Sequence, residues 1–552
     1  MALLASTSRR VPGDLKIELT DTENELCVLL DECCTDLRET KGLNTSCRIA
    51  GGWVRDKLLG MESNDIDIAL SDMMGDDFAG HLAAFAKQKN VKTGAIAIFN
   101  PNPEQSKHLQ TARIPIFGLE LDLVNLRSEE YANNSRIPTA VTFGTPLQDA
   151  LRRDITINAL FYNVHTREVE DCTEKGIEDL KNGIVRTPLP PRETFLDDPL
   201  RILRSLRFAS RFGFEIVPEL GQSAQDSEIQ HALVTKVARE RVGEEMTKIM
   251  KGPDPLRGIQ LVDHLSLYDS IFKVIPAEAI ASLSAPLAPS ITAVKAGYIL
   301  KRIFDSDMPG VTSVHPTLIS AVQEDSTATA RLYLAAALTP YMGLTYLDKK
   351  NKTQSAVECA IRESLKLGTQ YHFVDGIPLL FTAAQVLKNP DLEKFQTPSP
   401  RVALGLLLRE KALHFPSSGV RWQFSLLFSL VHELSALYDP TTDQLDTSEA
   451  TRLVELYNTF VNRVEELHLV NVGVQRHLLN GFQVGQILNA KPGPWTGQVL
   501  DRVMEWQLEN PQGTAEECTE WLKGEHSAGR INISVGASGT PEPASKRART
   551  KR

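Results

Sequence analysis

Ser46-Cys47-Arg48-Ile49-Ala50-Gly51-Gly52-Trp53-Val54-Arg55-Asp56-Lys57-Leu58-Leu59-Gly60, followed shortly by Asn64-Asp65-Ile66-Asp67-Ile68-Ala69-Leu70, is the stretch that decides the fold. In its second part Ile66, Ile68 and Leu70 alternate with Asp65, Asp67 and Ala69, the pattern of a strand with one buried face. Successive side chains of a strand point to opposite faces, so the two carboxylates emerge together. Side by side they repel, each raising the other's pKa unless a cation lies between them. Oxygen-only ligands with room for water and phosphate suit Mg²⁺.

The first part reads as a short strand over 46–50 running into Gly51-Gly52 and then a helix, with Val54, Leu58 and Leu59 at helical spacing and Gly60 as its stop. A strand, two glycines and a helix start let backbone N–H groups approach a phosphate closely. Arg55, in the first turn, can add charge-assisted bonds to the same anion. A Gly-Gly turn alone usually only connects elements, and a lone Asp-x-Asp also describes a solvated strand edge. In succession they describe a triphosphate cradle beside a metal site.

Further segments carry a resemblance. They are Arg152-Arg153-Asp154-Ile155-Thr156-Ile157-Asn158-Ala159-Leu160; Asp171 with Gly176 and Asp179; Asp197-Asp198-Pro199-Leu200-Arg201-Ile202-Leu203-Arg204-Ser205-Leu206-Arg207-Phe208; and Glu240-Arg241 with Lys248. With Gly51-Gly52 and Asp65-Ile66-Asp67, and in this order, the chain from about 49 to about 250 resembles the DNA polymerase β nucleotidyltransferase superfamily. Within it, the chain is similar to the branch of tRNA nucleotidyltransferases (CCA-adding enzymes) and bacterial poly(A) polymerases. The resemblance implies an α+β protein: a polymerase-β-like nucleotidyltransferase head followed by an all-helical neck, body and tail. It also implies template-free addition of C, C and A to the 3′ end of tRNA from CTP and ATP, with a two-metal Mg²⁺ site. Asp65 and Asp67 would be the metal ligands, and Asp122, in the alternating run 119–124, the third catalytic acid. Gly51, Gly52, Arg55 and Arg153 would hold the nucleotide, and Asn158 would order the sheet or the ribose pocket.

Asp198 and Arg201, at i and i+3, are expected to project together from one helix. A carboxylate accepts from cytosine N4 or adenine N6 and a guanidinium donates to an acceptor edge, so the pair can imitate a complementary base; the resemblance implies that role. Arg201, Arg204, Arg207 and Arg211 fall on one side of this helix, with Ile202, Leu203, Leu206 and Ala209 opposite. Arg204 and Arg207 are expected to reach phosphates or the incoming base. The plain alternative is a solvated, salt-bridged face.

At 552 residues the chain exceeds what one core usually supports. The expected divisions are a catalytic head over 1–187, a helical neck over 188–265 that selects nucleotide and binds RNA, a helical body over 266–440, a tRNA-binding helical tail over 441–525, and a disordered basic end over 526–552. Helices are expected around 197–212, 236–250, 292–304, 327–338, 353–366, 401–413, 421–437 and 449–467, and a polar stretch over 128–149 reads as a mobile loop above the site. No apolar run approaches the roughly 20 residues that span a bilayer, so no membrane partner is expected. Seven cysteines without Cys-x-x-Cys spacing fit free thiols in a reducing compartment rather than structural zinc.

The net charge of −10 requires any RNA-binding surface to be local. Residues 1–10 carry Arg, Ser and Thr without acids, like the start of a mitochondrial presequence cut short by Asp14 and Glu18. The end Lys546-Arg547-Ala548-Arg549-Thr550-Lys551-Arg552 resembles a nuclear-import signal. The expected locations are therefore cytoplasm and nucleus, with the mitochondrion as a further candidate. A poly(A) polymerase of the same branch and a non-catalytic RNA-binding protein on the same scaffold are the alternative readings. Asp65, Asp67 and Arg153 speak against the latter, and the acidic charge and the lack of a long basic extension favour CCA addition over the former.

Overall fold

The computed structural model describes residues 11–99, 111–131, 138–273, 281–395, 398–491 and 493–531. The presequence-like stretch 1–10 and the basic end 546–552 therefore lie outside the described residues.

The first helix, α1 (Asp21–Lys41), opens on a capping box between Thr20 and Glu23 and closes at Gly42 with φ 65°. Glu23 then ties α1 to the following helix α2 (Gly52–Leu58): its carboxylate pairs with Lys57 at 2.9 Å and accepts from Trp53 Nε1 at 3.1 Å. Strands β1 (Cys47–Ala50) and β2 (Asp65–Leu70) flank α2 and run antiparallel, with Ala50 opposite Asp67. After α3 (Gly75–Gln88) come β3 (Ala97–Phe99), β4 (Thr111–Ile116) and β5 (Leu119–Asn125).

The stretch expected as a mobile loop is, where described, a hairpin of β6 (Arg127–Tyr131) and β7 (Pro138–Phe143) followed by α4 (Pro146–Leu151); Asn133 and Asn134 lie outside the described residues. Pro138 opens its strand, a position where the missing N–H costs no ladder bond, and β-forming Thr139, Val141 and Thr142 follow. With β8 (Phe161–Asn163) and β9 (Glu168–Glu170) the head sheet reads β3-β4-β5-β2-β1-β8-β9. Its central pair β2–β5 is parallel, setting Asp65 opposite Glu120 and Asp67 opposite Asp122, while the other pairs are antiparallel.

Beyond α5 (Gly176–Asn182), the short β10 (Ile184–Val185) pairs in parallel with β11 (Glu215–Ile216), so hydrogen bonds cross the boundary expected at 187. Between these strands lie α6 (Pro191–Asp197) and α7 (Leu200–Phe212), and after them α8 (Pro218–Ala224), α9 (Ser227–Lys236) and α10 (Arg239–Met250). Helix α10 abuts the body very closely. A Cβ at Gly243 would fall 1.9 Å from the Leu365 carbonyl oxygen, so glycine is required for the contact.

Helices Ile291–Phe304, Ala328–Ala337, Pro400–Arg409, Trp422–Leu437 and Thr447–Glu466 appear where the sequence places them. The helix expected over 353–366 is broken. Thr353–Ser355 pairs as a strand with Thr345–Leu347, and Ala356–Cys359 continues as a wider π turn over Ala360–Ser364. One buried core runs without interruption from Leu26 to Leu508, and a second, small one gathers Leu479, Val484, Trp495, Val503 and Leu522. Thr447–Glu466 belongs to the first core, where its Tyr457 donates to Glu433 and contacts Ser429 at 2.9 Å. No described helix is long and apolar enough to cross a membrane.

Candidate active site

A cavity of about 510 Å³ opens between the head sheet and helices α7 and α10. Gly51, Gly52, Arg55, Asp67 and Arg153 line it from the head, and Asp198, Arg201, Arg204 and Arg207 from the neck. Asp65 and Asp122 are not part of this lining but lie beside it on the same face of the sheet, as the alternation requires.

Gly51 turns the chain at φ 70°, and a Cβ there would stand 2.7 Å from Arg153 Nη1. The glycine is thus needed twice, for the backbone angle and for the arginine lying against it. Its N–H is already used, donating to the Leu160 carbonyl at 2.9 Å. Arg153 is fixed by Asp149, to which Nε and Nη2 donate at 3.1 and 2.9 Å, and by the Asn158 carbonyl, to which Nη1 donates at 3.1 Å. Arg152 donates to the other oxygen of Asp149. Against the raising effect of burial, these two guanidiniums hold the Asp149 carboxyl down at about 2.

Arg55, expected to hold the nucleotide's phosphates, lines the cavity with a guanidinium that is already engaged. It is 3 % exposed, with Nε and Nη2 on Asp56 Oδ1 at 2.8 and 2.7 Å and Nη1 on Asn158 Oδ1. Its guanidinium stacks 5.0 and 4.9 Å from the ring centres of Phe208 and Phe212 of α7, and Arg211 Nη2 reaches Asp56 from the same helix at 3.3 Å. Arg55 therefore joins head to neck while presenting only part of itself to the cavity.

On the sheet, burial raises Asp67 to about 6, and the charges of Asp65 and Asp122 add to the rise against the opposing pull of Arg153. Such a pair of crowded, oxygen-only donors fits a divalent cation. Asp122 fits less well than the sequence suggests, because β4 places Arg113 across from it. Arg113 Nε donates to Asp122 Oδ1 at 2.6 Å and Nη2 to Oδ2 at 2.8 Å, with Nη1 on Glu120 at 3.1 Å. Among the described residues no group of three His, Cys, Asp or Glu side chains is gathered for a metal.

The neck corrects the geometry expected of Asp198 and Arg201. Asp198 is not in a helix: it sits between α6 and α7 at φ −138°, ψ 98°, with Pro199 as the N-cap of α7. The residue before a proline is pushed out of helical geometry, which accounts for the difference. Its carboxylate pairs with Arg241 Nη2 at 3.0 Å and accepts from the Leu200 N–H at 3.2 Å, rather than meeting Arg201. Arg201 and Arg241 each keep a buried Nη1 without a hydrogen-bond partner, and both residues line the cavity.

The rest of the α7 stripe is partly exposed but salt-bridged rather than free. Arg204 Nε donates to Asp154 at 2.7 Å and Arg207 Nε to Glu245 at 2.6 Å. Asp154 also accepts from Asn158 Nδ2 at 3.0 Å and the Ile155 N–H at 2.9 Å, and against burial Arg204 holds it well below the usual carboxylate range. Asn158, expected only to order the sheet or ribose pocket, is thus the link between Arg55, Arg153 and Asp154.

Arg127, Asn125 and Asp149 escape the sequence reading, although Asp149, three and four residues before two arginines, carried a helical-pair signal that could have exposed it. With Arg55, Arg127, Arg152, Arg153, Arg201, Arg204, Arg207, Arg211 and Arg241 against Asp67, Asp154 and Asp198, the lining is strongly basic in a chain of net charge −10. The local cationic face required for a polyanion is here.

Comparison with known proteins places this site in context. Residues 47–186 match the family described as Poly A polymerase head domain, and residues 213–278 the one described as Probable RNA and SrmB-binding site of polymerase A. A mitochondrial CCA tRNA nucleotidyltransferase of Saccharomyces cerevisiae is 37 % identical over 530 residues, covering 92 % of this chain and 94 % of that one. A protein of the same name from Candida glabrata is 36 % identical, covering 92 % and 96 %. The Bacillus stearothermophilus CCA-adding enzyme solved with CTP shares the fold, with a TM-score of 0.56 at 18 % identity, covering 93 % of this chain and 100 % of the other.

Proposed function

The chain belongs to the CCA tRNA nucleotidyltransferase family, and from that premise we propose that it adds C, C and A to the 3′ end of tRNA from CTP and ATP without a nucleic-acid template. The observation that carries the reading is the neck wall of the cavity, where the Asp198 carboxylate stands with the unpartnered Nη1 groups of Arg201 and Arg241. Each oxygen of Asp198 accepts one bond already and has a lone pair left. Cytosine N4 and adenine N6 are both amino donors, whereas the corresponding positions of guanine and uracil are carbonyl oxygens that a carboxylate repels. One fixed acceptor thus admits the two required bases and rejects the other two, with the arginines donating to the ring acceptors beside it.

The head supplies the reacting end. Arg153, immobilised by Asp149 and the Asn158 carbonyl, presents its positive charge beside Gly51 and Gly52 to the triphosphate. Asp65 and Asp67 would hold Mg²⁺, which when bound supplies charge to activate the terminal hydroxyl and steady the departing pyrophosphate. Asp122, engaged by Arg113, acts by holding that edge of the sheet in register. Arg55 and Asn158 keep head and neck at a fixed separation, so that base and phosphates are bound at once.

The segment 441–525 is proposed to hold the body of the tRNA. It carries Phe482, 68 % exposed, at the start of the helix Gly481–Ile487, and Val474, 63 % exposed, just before it. Cytoplasm, nucleus and mitochondrion are the proposed locations, the last supported by two relatives named as mitochondrial.

The test is a tRNA lacking its three terminal nucleotides. With CTP alone the expected product is two nucleotides longer, and CTP with ATP completes three and stops. A long tail from ATP alone would instead establish poly(A) addition, which the match of residues 47–186 keeps in view, and binding without extension would establish a non-catalytic protein.

A further inference from the structure

We propose that Cys34 and Cys47 form a peroxide-oxidisable dithiol, a modification site that joins α1 to strand β1 of the head sheet. Their Sγ atoms lie 3.4 Å apart, one on α1 and the other opening β1. A disulfide needs about 2.05 Å, so the sulfurs must close by roughly 1.4 Å. The pair is not equivalent. Cys34 keeps 5 % of its surface exposed and Cys47 none, so the first encounter with a solute falls to Cys34.

Beside them stands an Asp–His pair. His165 Nδ1 lies 2.6 Å from Asp31 Oδ1, and the Cys47 N–H donates to His165 Nε2 at 3.0 Å. Asp31 and His165 side chains are 45 % and 26 % exposed, marking the solvent side of the cluster. The hydrogen bond from the Cys47 thiol lowers the Cys34 thiol from its ordinary value, against burial. Burial pushes Cys27, Cys33 and Cys518 up to about 11, 12 and 11, and raises Cys172 and Cys359. Among the seven free cysteines Cys34 is the one whose ionised form a neighbouring thiol donor favours.

The chemistry balances with hydrogen peroxide as oxidant. The Cys34 thiolate attacks one oxygen, the O–O bond breaks, and Cys34 becomes a sulfenic acid while hydroxide leaves and takes up a proton as water. The Cys47 sulfur then attacks the Cys34 sulfur. The S–OH bond breaks, and the departing hydroxide takes the Cys47 proton as a second water. Two thiols lose two electrons, and one peroxide becomes two waters.

The experiment treats the full chain with a small excess of hydrogen peroxide, blocks free thiols with an alkylating agent, and maps peptides without reduction. Arg38 and Lys41 lie between the two cysteines, so cleavage after basic residues leaves them on separate peptides joined only by the disulfide. The expected result is a Cys34–Cys47 link, a loss of two of the seven thiols, and full recovery with dithiothreitol. Cys47→Ala should stop at a Cys34 sulfenic acid that dimedone traps, and Cys34→Ala should leave Cys47 reduced. Oxidation of the half-buried Cys172 before Cys34, or a link between any other two cysteines, overturns the assignment. Cys27, Cys33 and Cys34 share the peptide 17–38, so should either variant fail to fold, fragmentation of the linked wild-type peptides decides which of them is joined to Cys47.

Discussion

The head wall of the cavity and the Asp198 corner of its neck wall are built from the same residue types and treat them oppositely. On the head wall Arg152 and Arg153 are both on Asp149, and Asp154 is wrapped by Arg204, Asn158 and the Ile155 N–H. On the neck wall Asp198 takes one guanidinium nitrogen of Arg241, and Arg201 and Arg241 each leave an Nη1 buried and unpaired. An unpaired buried donor costs free energy, about 1–3 kcal/mol, and persists in a native structure where a ligand supplies the missing acceptor. The saturated arginines have no donor left for a ligand at these atoms, whereas Arg201 and Arg241 each have one.

Four substitutions would break or sharpen that contrast. Asp67→Ala should abolish turnover by orders of magnitude while leaving tRNA affinity and folding unchanged, because its carboxylate faces the cavity and not the core; near wild-type incorporation of radiolabelled CTP would contradict the metal assignment. Arg204→Ala should cost stability, about 3 kcal/mol by urea unfolding, because it strips the guanidinium from a buried Asp154. A loss of nucleotide choice without loss of stability would show that Arg204 reads the base after all.

Asp149→Asn tests the head wall through pH. The folded carboxyl sits at about 2, below its ordinary 3.8, so its contribution is fully present above about pH 4 and is lost as pH falls towards 2. The wild type should be more stable than the variant by about 2 kcal/mol near neutrality, and the gap should shrink in acid. A gap that is constant with pH would place the effect elsewhere. Arg201→Ala carries the smallest energy and the sharpest reading. Selectivity for CTP over UTP should fall about tenfold, about 1.4 kcal/mol, with unfolding unaltered. Unchanged selectivity with weaker tRNA binding would make Arg201 a phosphate contact.

Much of this was legible in the chain. The alternation at 65–70 gave the strand and the common face of Asp65 and Asp67, and the apolar spacing of α7 gave its arginine stripe. What escaped depended on pairings distant in sequence or on a single proline. Arg113 holds Asp122 only because β4 and β5 pair in the register that sets these two opposite each other. Arg241 reaches Asp198 across the 43 residues that separate them. Pro199 expelled Asp198 from the helix that the i, i+3 spacing assumed, and Pro378 concealed the helix Phe373–Val386 by interrupting its pattern. Arg55 lies at the cavity, but its partners Asn158, Phe208 and Phe212 come from other segments and could not be read beside it in the chain.

Helix α10 brings Arg241 to the cavity and the buried Glu245 to Arg207, and midway between them Gly243 presses on the Leu365 carbonyl of the body. The helix that holds the Asp198 carboxylate through Arg241 is therefore backed by a segment of the body. Enlarging residue 243 must push α10 off that support and carry Arg241 with it. A lesion whose atoms never approach the nucleotide would then register as misincorporation at the tRNA end, and a genetic screen for fidelity would return positions in the body as readily as positions in the site.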